Sequence, residues 1–238
     1  MSALIKIIVI SILSSLLFSC NFNMGVMGDG NVVTKERNLD HTFDHIEVSR
    51  GLDVYLTQSE IISLSVQADK NLHDIIITKI EGNTLKIYAD KNIRYSATQK
   101  VMVSFNNISK ISATSGSDVY STGIISLENL ELESTSGSDM DLEIKVTNLQ
   151  CKASTGGDLK ITGSANDMIA NASSGSTINT RNLITLTTNA TSSSGADITV
   201  NVSNELTAKA ESGGDIKYLG NPQKVNKSGG VSGSIKQQ

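Results

Sequence analysis

Six stretches of the chain carry nearly the same residues. ATSGSDVY runs from Ala113 to Tyr120 and ESTSGSDMDL from Glu133 to Leu142; STGGDLK, SSGST, SSGADI and ESGGDI follow. Taking the first glycine of each, and of one more stretch near the end, gives Gly116, Gly137, Gly156, Gly175, Gly195, Gly213 and Gly229. Successive spacings are 21, 19, 19, 20, 18 and 16 residues. A period of about twenty residues marks a solenoid, because one such unit cannot bury its apolar face without a neighbour.

Aligning the units on their glycines gives the side-chain pattern. Three positions on stand Val119, Met140, Leu159, Ile178, Ile198 and Ile216, all apolar. Five positions on, Leu142, Ile161, Val200 and Tyr218 alternate with Ser121 and Thr180 in the same column. Before the glycine, Leu130, Leu132 and Ser134 recur as Leu149, Cys151 and Ala153, as Met168, Ala170 and Ala172, and as Leu206, Ala208 and Ala210. Period-two alternation on both sides of a corner predicts two short strands per repeat, each with one face inward. Like residues in successive repeats then stack. The expected fold is all-β, a single-stranded parallel β-helix, right-handed by default, with Gly116, Gly137, Gly156, Gly175, Gly195 and Gly213 as structural corners. The extra serines of ATSSSGAD predict a bulged or widened corner at Gly195. No window carries an i, i+3, i+4 apolar stripe that would make a helix.

Residues 32–106 differ from the regular repeats of 107–238. Their strands read longer, and Gly82-Asn83 in IEGNTLKIY is a hairpin signal. This part is expected to form wider first coils or a cap, because an open solenoid end invites edge-to-edge pairing.

Composition narrows the function. Hydrophobic residues are 38% and charged residues 18%, which excludes a disordered chain. A net charge of −4 argues against nucleic acid, whose phosphates need a basic surface. Of the two cysteines, Cys151 lies in the alternating run NLQCKAS and reads as a small buried hydrophobe.

Cys20 reads differently. MSALIKIIVISILSSLLFSC has an apolar run from Ile7 to Phe18 that ends at the cysteine. It reads as a secretory signal over residues 1–19, and Leu17-Phe18-Ser19-Cys20 resembles a bacterial lipobox. The resemblance implies cleavage before Cys20 and its acylation, so the expected partner is a membrane. Residues 20–31 are rich in Gly and Asn and are expected to be a flexible tether.

GDGNVVTKERNL, FDHIEVSRGLDVYLTQ, LSVQADKNL, GNTLKIY and SATSGSDVY occur in that order. From about Gly28 onward the chain resembles the head GIN domain family, auto-transporter adhesins of Bacteroidetes-type envelope lipoproteins. The resemblance implies an exported β-helical domain over residues 32–238, and no catalytic residues come with it.

An aspartate follows most corners by two positions: Asp118, Asp139, Asp158, Asp197 and Asp215, with Thr177 breaking the column. A calcium ladder is one explanation. Turn-closing side-chain hydrogen bonds are the other. The spacing favours the turn, since one carboxylate per corner falls far short of the six to eight oxygens Ca²⁺ takes. Asp139, Asp141 and Lys160 are the one acid–base candidate. His41 and His45 stand at i, i+4 without a third ligand, and with His73 they read as solvated strand residues. The chain is therefore expected to be a non-catalytic, cofactor-free adhesin or interaction module for protein or glycan, anchored in the cell envelope, with the outer membrane the favoured site. The alternatives are a polysaccharide-active enzyme and a periplasmic structural lipoprotein.

Overall fold

The computed structural model describes residues 25–230 and 232–238. The chain winds as a β-solenoid of about seven turns. The regular coils are carried by Asp118–Thr135, Asp139–Ser154, Asp158–Ala172, Thr177–Ser192 and Asp197–Ala210, each paired in parallel with the next. The expectation of two short strands per repeat is corrected here: each coil is one long strand, bent around the core. The bend is made by two successive outward residues. Thr147 and Asn148 lie exposed between buried Val146 and Leu149, and Asn166 and Asp167 between Ala165 and Met168. Alternation restarts after each exposed pair, and the ladder to the next coil continues across it.

The core is a stack of columns. Leu85, Ile46, Ile111, Leu132, Cys151, Ala170, Ala190 and Ala208 stand in register, all buried. Side-chain bulk along this column falls from Leu and Ile at the N-terminal end to Ala in the last coils.

Each corner has two consecutive residues at positive φ, such as Ser115 (58°) and Gly116 (69°), or Ser136 (57°) and Gly137 (70°). Two left-handed residues in a row make a type I′ turn, and glycine takes the second place without a Cβ penalty. The same geometry recurs at Arg50 (63°) and Gly51 (73°), a corner hidden in the sequence SRG. Gly229 is not a corner. It lies in the strand Lys224–Gly229 beside Ala210, and the turn passes through Ser232 (75°). The Gly195 corner is regular, with Ser194 at 52° and Gly195 at 71°. The irregularity expected there lies upstream, where register slips between Asn179 and Ile184 and between Thr185 and Thr187.

Chain order and spatial order part company at the N-terminal end. His45–Ser49 and Asp53–Gln58 form one coil, paired on one side with Lys110–Thr114 and the strand from Asp118. On its other side lie Thr84–Ala89 and Gln99–Phe105, also parallel. Two strands that run backwards, Ser63–Asp69 and Ile76–Glu81, cover that outer coil, and Val32–Glu36 pairs with the first of them. The region is thus both a set of coils and an antiparallel cap. The Ile76–Glu81 and Thr84–Ala89 hairpin turns at Gly82, as the sequence predicts.

Cys20 lies outside the described residues. From Gly25 on, the segment expected as a tether is docked instead. Val26–Met27 pairs with Ile93–Tyr95, and Gly28 N–H donates to the Tyr95 carbonyl (2.7 Å). Glycine permits this approach: a Cβ on Gly28 would overlap the Asp69 carboxylate.

Candidate functional site

The aspartates of the corner column point outward and stand in register, and Asp53 joins them at the front. The stack runs Asp53, Asp118, Asp139, Asp158, Thr177, Asp197, Asp215. Asp53 is not visible in the sequence pattern because its corner is SRG and the next coil begins only at Lys110. Parallel strands lie about 4.8 Å apart, so neighbouring carboxylates repel. Burial, then Asp53, raises the pKa of Asp118. Burial, then Asp118 and Asp158, raises that of Asp139. Burial also raises Asp53, opposed by Lys100.

Among the described residues, none of these carboxylates accepts a hydrogen bond from the backbone, so they do not close the turns. The residue after the corner glycine does. Where it is serine, the hydroxyl reaches back: Ser117 Oγ donates to Thr114 O (2.8 Å), Ser138 Oγ to Thr135 O (2.9 Å), and Ser173 N donates to Ser176 Oγ (3.1 Å). Where it is glycine or alanine, its own N–H closes the turn, as in Gly157 to Ser154 O (3.0 Å), Ala196 to Ser193 O (3.2 Å) and Gly214 to Glu211 O (2.9 Å). Among the described residues, no group of three or more His, Cys, Asp or Glu converges as a metal site.

Two positions further along the same face, Tyr55 and Tyr120 stack (centroids 5.2 Å, 25°). Lys100 Nζ lies 5.2 Å from the Tyr55 ring centre. The rings pack against one another and the lysine. Burial, then Asp118, pushes the Tyr120 hydroxyl up to about 12. Asp141 and Lys160 meet in an exposed ion pair at 2.7 Å, one coil apart as the period implies. Asp139 lies on the same face but is not hydrogen-bonded to either.

The three histidines do not converge. His41 is exposed in the loop before the first coil, and His45 is half-exposed, its Nδ1 3.6 Å from Asp44. His73 is not solvated: it is buried, and its Nε2 donates to the Val33 carbonyl (3.1 Å). Cys151 is fully buried, and burial pushes its thiol up to about 12.

Concave surface lies elsewhere. A trough of about 350 Å³ runs along the bend of the coils, lined by His45, Lys110, Glu131, Gln150 and Ile169 on one flank and by Asn129, Asn148 and Asp167 on the other. Asn148 Nδ2 donates to Asn129 Oδ1 (2.8 Å), and Thr187 Oγ1 donates to Asp167, so this flank is a polar ladder with one rung per coil. Glu131 is held by Lys152 (2.8 Å) and Lys110 (3.2 Å), and these bonds lower its pKa. The sequence signal for the ladder is the polar residue directly before Leu130, Leu149 and Met168, a column that the corner-centred pattern leaves out. A second concavity, of about 740 Å³, lies beside the Arg50–Gly51 corner, between it and the segment Asp90–Ile93.

The family model described as "Putative auto-transporter adhesin, head GIN domain" matches residues 42–222. No curated protein matches the chain. Among solved structures, a protein from Bacteroides fragilis described as a "putative adhesin" is similar at 24% identity, over 90% of this chain and 100% of its own, with a TM-score of 0.84. A second "putative adhesin", from Parabacteroides merdae (17%, 90% and 98%, TM-score 0.72), and a "Putative lipid binding protein" from Parabacteroides distasonis (21%, 90% and 99%, TM-score 0.70) share the fold. With that model covering most of the solenoid and its cap, the chain belongs to the head GIN domain family so described.

Proposed function

We propose that this protein is a lipid-anchored, non-catalytic interaction module of the cell envelope, and that the trough along the bend takes an extended, neutral glycan. The observation that carries this is the polar ladder Asn129–Asn148–Asp167 facing Gln150 and the exposed, apolar Ile169 across one groove. Amides and carboxylates recognise hydroxyls, and an apolar flank suits the CH face of a sugar. The groove's cation, Lys110, is engaged by Glu131 and Glu133, which disfavours an anionic ligand. The Asp column is read as part of the scaffold surface. A catalytic role fits less well, because Asp141 and Lys160 neutralise each other on an open face rather than flank a cleft. The family membership supports envelope location.

The test is a glycan array probed with the detergent-solubilised full chain. Neutral linear oligosaccharides should be retained, and Asn148→Trp, which fills the trough, should abolish retention. Retention of acidic glycans alone, or retention unchanged by Asn148→Trp, refutes the reading.

A further inference from the structure

We infer that the cap surface around Met27 and Tyr95 is a membrane-apposed face that lies on anionic lipid headgroups. The inference rests on the reading of Cys20 as lipidated, and it adds which side of the domain meets the bilayer.

The first argument is reach. Gly25, where the docked segment begins, is five residues from Cys20. An extended chain spans at most about 3.6 Å per residue, so an anchor at Cys20 holds Gly25 within about 18 Å of the lipid. A flexible tether through residue 31 would have left orientation free. Docking of Val26–Met27 shortens that leash and keeps this end of the domain near the lipid.

The second is what the docked strand exposes. Val26 pairs with Ile93, and both pack toward the core. The register then slips, so that Met27 pairs with Tyr95 and Arg94 is the extra residue. A bulge of this kind re-aims the next side chain. Met27 is 57% exposed and Tyr95 61%, and Val32, paired with Asp69, is 40% exposed. The patch is tied together by Asn71, whose Nδ2 donates to the Met27 carbonyl (2.7 Å), and by Lys70 N–H, which donates to the Asn31 carbonyl (2.8 Å). An exposed tyrosine among aliphatic side chains is the chemistry of a bilayer interface, where the ring is half apolar and its hydroxyl stays wet.

The third is charge. The chain as a whole is acidic, at −4. Yet Lys70, Lys91 and Arg94 are exposed around this patch, and none has an ion-pair partner among the described residues. On the coils, six lysines have a carboxylate partner, while Lys100 and Lys227 lie over tyrosine rings and Arg181 bonds Gln238; what marks the cap patch is that its free cations sit around exposed apolar side chains. Asp29 and Asp90 also lie at the patch. The Asp29 carboxylate accepts Asn31 N–H (3.0 Å), and the Asp90 carbonyl lies by Arg50, which adds a further cation. Unpaired cations beside an anchor are drawn to anionic headgroups.

The chain contains no tryptophan, so Tyr95→Trp creates a single reporter at a well-exposed site. The acylated full chain is reconstituted into vesicles of phosphatidylethanolamine and phosphatidylglycerol carrying brominated acyl chains. Indole fluorescence of the Tyr95→Trp variant should be quenched at least twofold more than that of a Thr207→Trp variant, whose reporter sits on a late coil. Adding Lys91→Glu and Arg94→Glu to the Tyr95→Trp variant should cut its quenching at least twofold while the protein still sediments with the vesicles. Sedimentation with equal quenching at both sites overturns the assigned face and leaves lipid anchoring intact. A Cys20 found without acyl chains by mass spectrometry, in a protein that does not sediment, overturns the anchoring and this inference with it.

Discussion

Neutralising Asp118 should make the protein more stable, which is not the usual outcome for a half-buried polar side chain. Asp118 stands in register between Asp53 and Asp139. At about 4.8 Å, two unit charges repel by roughly 0.9 kcal/mol in bulk water, and more at lower effective dielectric. Favourable cross-strand pairs are worth about 0.2–1 kcal/mol each and like charges opposite one another destabilise, so a similar size is expected here with the opposite sign. With two neighbours and partial solvation, Asp118→Asn should gain about 1 kcal/mol at pH 7. The loss on the other side is small, because the Tyr120 hydroxyl bond to Asp118 is long (3.5 Å). The pH dependence has a definite sign. The folded-state pKa is raised, by burial first and by Asp53 second. Between the unfolded value of about 3.9 and that raised value the native state holds more protons, so stability falls as pH rises through the window. The penalty is complete above it and absent below the unfolded value. Urea unfolding of wild type and Asp118→Asn at pH 7 and pH 3 should show the gain at pH 7 only, about 2–4 °C if read as Tm. A destabilised variant at pH 7 would refute the reasoning. So would a wild-type Tm that rises in millimolar Ca²⁺ relative to EDTA and a variant that loses the rise, since the column would then hold a cation.

Cys20→Ala should release the protein from membranes; a variant that stays in the membrane pellet under mild salt rules out the lipobox. Cys151 is fully buried with its thiol pushed up to about 12, so it should resist a water-soluble disulfide reagent until the coils unfold, and fast labelling of the folded protein at pH 8 would contradict the burial. Gly163 has φ of 112°, and a Cβ there would overlap the Ile144 carbonyl, so Gly163→Ala should cost roughly 3 kcal/mol in urea unfolding; a cost under about 1 kcal/mol would mean the coil can shift to admit it.

The coils were legible because each needs the same thing at the same place. A type I′ corner asks for glycine at its second residue, and a buried strand face asks for alternation, so Gly116 through Gly213 and the columns from Val119 to Ile216 announce themselves. Where the demand relaxes, legibility fails. Arg50 occupies the first left-handed place that serine or threonine takes at the repeat corners, and Ser232 the second place that glycine takes, so the first corner is masked in the sequence and the last is displaced from Gly229. The cap shows a deeper limit. Thr84–Ala89 lies outside His45–Ser49, and Lys110–Thr114 lies inside it. That order is set by pairing between distant segments, and local pattern carries no trace of it. The docking of Val26–Met27 is hidden for the same reason: GVMGDG has the composition of a linker, and only the structure shows Gly25 closing on the Asn92 carbonyl, Gly28 on Asp69, and Gly30 turning at positive φ.

The corners also explain why the candidate site is not at the repeated motif. Serine closes the turn through its hydroxyl and glycine or alanine through its own N–H, so two chemistries serve one geometry. A position that is filled so differently without altering the fold is held by the backbone's needs, and TSGSD is the signature of those needs. The outward columns are under no such demand. Their residues meet the rung above and below, as Glu131 meets Lys110 and Lys152, or a neighbour two places along, as Tyr120 meets Asp118. They can change without disturbing the core, and a ligand lying along the coils meets a new one about every 4.8 Å. The proposed recognition site therefore lies among outward columns, where the bend's two successive exposed residues turn the face and the trough between Asn148 and Gln150 opens beside them.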